Sequence, residues 1–154
     1  MSAAPVWPAV ELDPVARLRA LAASLPWVVF EDCVIAAPFA RVWSYIDDME
    51  HGVPQFEGNV RRLEILSRDG DRLALRSFAP GGFPMHIDAV LRPGWCVMRG
   101  TFADVGMAAA PIGPDTTRFA HFEGSRWLGR PARPLFRRFV QRDLVRLTAL
   151  AERP

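Results

Sequence analysis

The chain has 154 residues, half of them apolar, and its 19 basic against 17 acidic residues leave a net charge of only +2. That length makes one domain able to bury about two-thirds of the surface of its unfolded chain, and the near-balance of charge argues against a general nucleic-acid binder. Every basic residue is arginine, so chemistry that needs a lysine, such as Schiff-base formation or a Walker-type phosphate loop, is excluded.

Residues 1 to 11 are proline-rich and irregular. Asp13-Pro14 then supplies an N-cap and a first-turn proline, and Val15, Leu18, Leu21, Ala22 and Leu25 follow at helical spacing, a short amphipathic helix that Pro26 ends. A strand is expected from about Trp27 to Ile35. It stops before Ala37-Pro38, where a second helix starts: proline fits the first helical position because its missing N–H costs nothing there, and Phe39, Val42, Trp43, Ile46 and Met49 repeat on one face. The segment His51-Gly52-Val53-Pro54-Gln55-Phe56 is broken by glycine and proline and has room for another short helix.

From Asn59 the chain reads as an antiparallel meander. Val60 to Leu66 and Arg72 to Phe78 flank the tight-turn dipeptide Asp69-Gly70, and Met85 to Leu91 and Trp95 to Phe102 flank Pro93-Gly94. Ala103 to Ala110 and Thr117 to Gly124 flank a turn from Pro111 to Asp115. A longer loop, Pro80-Gly81-Gly82-Phe83-Pro84, separates the second of these strands from the third. From about Pro131 to Glu152 the period is helical again, with Leu135, Phe136, Phe139, Val140, Leu144, Leu147 and Leu150 on one side.

No run approaches the roughly 20 apolar residues that a membrane-spanning helix needs. The N-terminus lacks the basic start and apolar centre of a secretory signal, so a soluble cytoplasmic protein is expected. Cys33 and Cys96 fall inside strands, which suits buried thiols better than a disulfide, and without histidines at ligand spacing they make no zinc site of the common types. Neither a metal nor a cofactor is expected.

The succession of a strand, Ala37-Pro38, three residues, Val42-Trp43 and an acidic helix end at Asp47-Asp48 resembles the opening of the START-like (SRPBCC) superfamily of helix-grip proteins. That superfamily includes polyketide cyclases and dehydrases and relatives that bind coenzyme Q or lipids. The order of the later elements extends the resemblance over residues 27 to 152. It implies an α+β, helix-grip fold in which a curved seven-stranded antiparallel sheet wraps around a long C-terminal helix, with two short helices after the first strand and a cavity between sheet and helix. Residues 27–154 would form the START-like ligand-binding domain, and residues 1–26 an N-terminal extension whose helix has no assigned role.

Strict alternation on the strand after the long loop puts Met85, Ile87, Ala89 and Leu91 on one face. Leu73, Leu75, Val97, Val105, Met107 and Phe119 have the parity expected of the same face, and Phe136, Phe139 and Val140 lie on the closing helix. Together they are either the wall of a cavity for an apolar ligand or the packing of a closed core. Phe56 and Phe83, large apolar residues in irregular chain, are expected to gate the mouth.

His121 and Glu123 share the parity of Phe119, so they either point inward as acid, base or ligand anchor or sit at a solvated strand end. Arg99 has the parity assigned to Val97 and is either the cavity's fixed charge or an outward arginine. Asp143 falls within the apolar stripe of the last helix, where it needs Arg99 or His121 as a buried partner, or a salt bridge to a neighbouring helix arginine. The seven arginines from Arg126 to Arg146 make a basic segment. Arg138, Arg142 and Arg146 nevertheless fall opposite the apolar stripe, as a solvated face does, and no interleaved aromatics make a nucleic-acid platform.

The resemblance thus implies a protein that encloses a hydrophobic or amphipathic small molecule, a lipid, quinone or polyketide-like compound, with no nucleic-acid partner and no membrane span. The alternative is a cyclase- or dehydratase-type enzyme using His121, Glu123, Arg99 or Asp143 as acid and base, which needs at least two of these groups converging in one cavity. Aromatising cyclases of the superfamily are thought to use hydroxyl and arginine side chains on the inner sheet face. The equivalent strand here offers Met85, Ile87, Ala89 and Leu91.

Overall fold

The computed structural model describes residues 11–154; the proline-rich start of the chain lies outside the described residues. Helix α1 (Pro14–Ala23) begins as its sequence dictates, with the Asp13 carboxylate accepting the Ala16 N–H at 3.0 Å and Pro14 at the first helical position. Strand β1 (Val28–Ile35) follows. Helix α2 (Phe39–Asp47) starts one residue later than the proline rule suggests, because Pro38 keeps an extended backbone and serves as the N-cap. Its apolar face, Val42, Trp43 and Ile46, is buried, and so is Met49 just beyond its end. Helix α3 (Val53–Phe56) is a single turn.

The meander comprises β2 (Arg62–Asp69), β3 (Arg72–Phe78), β4 (Pro84–Arg92), β5 (Trp95–Gly100), β6 (Asp104–Gly113) and β7 (Thr116–Gly124). Helix α4 (Arg133–Ala151) ends the chain after a short 3-10 turn. All seven strands form one antiparallel sheet in the order β1-β7-β6-β5-β4-β3-β2, so the last strand returns to pair with the first, and α2 and α3 carry the chain across to the far edge. Helix α4 packs on β1 and β7 along the inner face.

The sheet has two apolar faces. On the inner face, Ile35, Trp43, Leu75, Met107, Phe119 and Leu147 belong to one core shared by sheet, α2 and α4. On the outer face, Val15, Leu18 and Ala22 of α1 cover Val28, Ala108, Ala120 and Phe122. Small residues let that helix approach closely, and at Gly106 a Cβ would run into the Phe122 ring.

The turn between β4 and β5 corrects two positions. Gly94 adopts φ +75 after Pro93, the backbone of a turn that favours glycine at its second central residue. The pairing that follows sets Leu91 opposite Cys96 and Ala89 opposite Met98. Cys96 and Met98 therefore share the inner face, whereas Val97 packs with the α1 cluster on the outer face. Arg99 follows Val97 outward and pairs with the buried Asp104 at 3.2 Å, so it is not the cavity's charge.

The stripe of α4 is rotated slightly from the expected one. Phe136, Val140, Asp143, Leu144, Leu147 and Ala151 are buried and Leu135 is exposed. Arg142 is not on the solvated face: its guanidinium reaches Asp143 at 3.0 Å and lies over the Phe139 ring.

Both thiols are free. Burial pushes the fully enclosed Cys96 thiol up to about 12. Iodoacetamide at pH 8 should therefore leave Cys96 unmodified in the folded protein and alkylate it in urea, as intact mass will show. Rapid alkylation of folded protein at Cys96 would mean that this face of β5 is open.

Candidate functional site

At the end of the inner face where β3 and β5 finish and β4 begins, the sheet and the segment that follows α3 leave a cavity of about 50 Å³. Met85, Ile87, Met98 and Val105 supply apolar walls, and Glu57, Asn59, Ser77 and Glu123 supply polar groups. A space of that size holds a few water molecules at most, well below the roughly 300 Å³ at which drug-sized pockets begin. A larger ligand needs the walls to move. Met85 and Met98 are suited to that, since unbranched thioether side chains repack at little cost.

The polar end of the cavity continues into a buried cluster. Strand β7 points His121 and Glu123 inward, α4 presents Asp143, and the residue after α3 presents Glu57; all four are at most 3% exposed. His121 Nδ1 lies 3.0 Å from the Gly106 carbonyl. Its Nε2 lies 3.3 Å from Glu57 Oε2 and 3.5 Å from Asp143 Oδ2. The other Asp143 oxygen accepts from the Gly58 N–H at 3.1 Å and from Arg142 Nε at 3.0 Å. Glu123 Oε1 accepts from Asn59 Nδ2 at 2.8 Å, and Glu123 Oε2 is left without a partner.

The environment sorts the ionisations. Burial pushes the Glu57 carboxyl above its ordinary value, against the pull of His121. Burial, helped by the Glu57 charge, pushes Glu123 up to about 8. At His121 burial acts to lower the value, but the hydrogen-bonding carboxylates of Asp143 and Glu57 outweigh it and hold the imidazole well above its ordinary range. At Asp143 burial acts to raise the value and His121 outweighs it, so this carboxyl is held low.

No protein-family model matches the sequence, and no curated protein matches it either. Solved structures do. A START superfamily protein from Mycobacterium smegmatis is 18% identical and superposes with a TM-score of 0.62 over 82% of this chain and 97% of that one. The Zhui aromatase/cyclase from Streptomyces sp. R1128 is 17% identical, with a TM-score of 0.61 over 82% of this chain and 93% of that one. This chain has a START-like fold. The di-domain aromatase/cyclase BexL is similar as well, 15% identical with a TM-score of 0.56 over 90% of this chain and 55% of that one.

Within the START-like fold, three of the four acid/base candidates come together: His121, Glu123 and Asp143 join one cluster, and Arg99 lies on the other face of the sheet. Asp143 has both of its expected kinds of partner, His121 and a helix arginine, Arg142. Of the wall candidates, Met85, Ile87 and Val105 line the cavity. Leu73, Leu75, Ala89, Leu91, Met107, Phe119 and Val140 pack a closed core instead, and Phe136 and Phe139 meet edge to face at 5.7 Å. The expected gate is half corrected. Phe56 is fully buried, edge-on to Phe119, and only Phe83 is exposed in its loop, two residues from Met85. Beside Ala103 the mouth carries two exposed aromatics that the sequence reading passed over, Phe102 and Trp127, whose rings lie 6.5 Å apart.

The START-like core also recruits residues that were not singled out. Ser77 continues the Leu73, Leu75 alternation and could have been read from it, and Met98 follows from the turn register. Glu57 and Asn59 sit in irregular chain between α3 and β2, where no periodicity marks an inward side chain. No described helix is long and apolar enough to cross a membrane.

Proposed function

We propose that the protein binds a small amphipathic molecule, its apolar body against Met85, Ile87, Met98 and Val105 and a hydrogen-bond-donating group toward Glu57, Glu123 and Ser77. One observation carries this reading: Glu57 Oε1, the Ser77 hydroxyl and Glu123 Oε2 are buried at an apolar cavity and have no hydrogen-bond partner. Buried polar groups without partners are costly, and a ligand hydroxyl or amine, which both donates and accepts, would satisfy them. The exposed loop that carries Phe83 and the unbranched, repackable side chains of Met85 and Met98 provide the opening such a molecule needs. Lipid, quinone and polyketide-like compounds share the required apolar body, and among them the acceptor-rich floor favours phenols and alcohols over pure hydrocarbons.

The test compares 2-naphthol with 2-methoxynaphthalene, which keeps the rings and loses the donor. 2-Naphthol should bind saturably and at least tenfold more tightly, a difference of about 1.4 kcal/mol. Val105→Trp, which fills the space, should abolish binding of both. Equal binding of the two probes would remove the polar floor from the reading, and binding of neither would remove the pocket.

Acid–base catalysis in the same cavity, of the cyclising or dehydrating kind, is the second reading. It is favoured by the convergence of His121, Glu123 and Asp143 with Glu57, since such reactions need one group to take a proton and another to give one. Turnover of a poly-β-keto thioester that is lost in Glu57→Gln with probe binding retained would establish it.

A further inference from the structure

The buried cluster contains polar atoms that its own contacts leave only partly served, and those of Glu57, His121, Glu123 and Asp143 point to one place. Glu57, His121, Glu123 and Asp143 each offer a ligand atom, and these atoms lie within 4.8 Å of one another. In three of the four side chains one polar atom is tied down and the other is left over. His121 Nδ1 is held by the Gly106 carbonyl, and its Nε2 faces Glu57 Oε2 and Asp143 Oδ2 at 3.3 and 3.5 Å; Asp143 Oδ1 is held by Gly58 and Arg142, and its Oδ2 faces His121; Glu123 Oε1 is held by Asn59, and its Oε2 has no partner. Of the Glu57 oxygens, Oε2 faces His121 and Oε1 has no partner. This is how a metal site is built: outer contacts fix the tautomer and orientation of each ligand and leave the ligating atom bare.

A neutral imidazole has one N–H. If that N–H is given to the Gly106 carbonyl, Nε2 presents a lone pair to Glu57 Oε2 and Asp143 Oδ2, three acceptors facing one another. Something positive has to lie between them, either a proton, carried by Nε2 or by the Glu57 carboxyl, or a metal ion. The separations favour the ion. A charged N–H···O bond closes to about 2.7–2.9 Å, whereas atoms bound at about 2.0–2.1 Å to a common tetrahedral centre stand roughly 3.4 Å apart. The two contacts measure 3.3 and 3.5 Å.

We propose that Glu57, His121 and Asp143 form a site for one divalent transition-metal ion, with Glu123 as a fourth ligand from the cavity side. One imidazole with carboxylates and no thiolate suits zinc or manganese rather than a soft ion. Glu57 and Glu123 line the cavity, so the ion has an entry path and a coordination position reachable by a bound molecule. The site does not depend on which organic molecule the protein takes.

The experiment uses the full chain, stripped with a chelator, dialysed, and titrated with Zn²⁺ or Mn²⁺ by calorimetry. One ion per chain should bind, and at a hundredfold excess over the dissociation constant the melting temperature should rise by about 5 °C or more. Co²⁺ in place of zinc should give the visible absorption of a tetrahedral site. Glu57→Gln and Asp143→Asn should each weaken binding at least about tenfold, the scale of losing part of a metal's support. The exposed pairs His51 with Asp48 and His86 with Asp88 are the internal control, and His51→Ala and His86→Ala should change nothing. The proposal is overturned if the folded wild type binds neither ion saturably, or if binding persists in Glu57→Gln and disappears in His86→Ala. It is equally overturned if nitrogen-15 spectra show His121 protonated on both ring nitrogens and unchanged by added Zn²⁺.

Discussion

Replacing Trp43 by alanine is expected to destabilise the fold by about 3–5 kcal/mol, the range for deleting a buried aromatic. Trp43 is 5% exposed at the centre of the α2 face, in the core that also holds Val42, Ile46 and Met107, and its ring lies parallel to that of Phe39 at 6.2 Å. Alanine would leave a void that neither sheet nor helix can close, since α2 is fixed at both ends by its connections to β1 and α3. The indole Nε1 is buried without a partner, so Trp43→Phe gives up no hydrogen bond and should cost far less than the alanine change. Urea unfolding of the two variants checks this, and an alanine variant with an unchanged midpoint would mean that the helix face does not carry the core.

Much of this fold could be read from residue order because its local signals agree with one another. Asp13-Pro14 caps α1, the turns at Asp69-Gly70 and Pro93-Gly94 join neighbouring antiparallel strands, and the period changes from two to 3.6 where α4 begins. Face assignment was harder, and β5 shows why. Alternation alone has two solutions for a six-residue strand, and the wrong one put Val97 and Arg99 inside. The two-residue turn at Pro93-Gly94 removes the ambiguity, because it pairs Leu91 with Cys96 and directly opposed residues share a face.

The outer face carries a signal of the same kind, although the helix of residues 14 to 23 had no assigned role from sequence. Gly106, Ala108, Ala110 and Ala120 are small residues at one parity of adjacent strands, which is what a closely packed helix requires, and α1 is the helix that lies there. The site was only partly legible. His121, Glu123 and Asp143 stood out as polar residues at apolar positions, whereas Glu57 follows a single helical turn in chain without a period. Its inward position is set by the Glu57 N–H bonding to the Val53 carbonyl and by the docking of Phe56 on Phe119. That is tertiary information. The size of the cavity is tertiary as well, since it depends on how far the Met85 and Met98 side chains fill the space beneath the sheet.

A second large effect is expected at His121 in the metal-free protein. The imidazole stands between the buried carboxyl groups of Glu57 and Asp143, and removing one partner of a buried ion pair costs about 3–5 kcal/mol because the remaining charge is left without compensation. His121→Leu should therefore lose about that much stability at pH 7, although leucine fills most of the volume. The pH dependence separates charge from packing. In the wild type Glu123 titrates at about 8 in the folded state against its ordinary 4.5, so the native chain holds a proton that the unfolded chain releases. That contribution is fully present below 4.5 and is lost as the pH rises through about 8, and His121, also raised, acts in the same direction above its ordinary 6.5. Asp143, held low, acts oppositely: its contribution is present above 3.8 and is lost as the pH falls through its folded value. Chelated wild type should thus weaken from pH 6 to pH 9, and Glu123→Gln should flatten part of that slope. Without the imidazole, Glu57 and Asp143 can escape their mutual repulsion only by taking up protons. The deficit of His121→Leu relative to the wild type should consequently shrink between pH 7 and pH 5. A deficit of equal size at both pH values would assign the loss to packing and remove the charge-based account of the cluster.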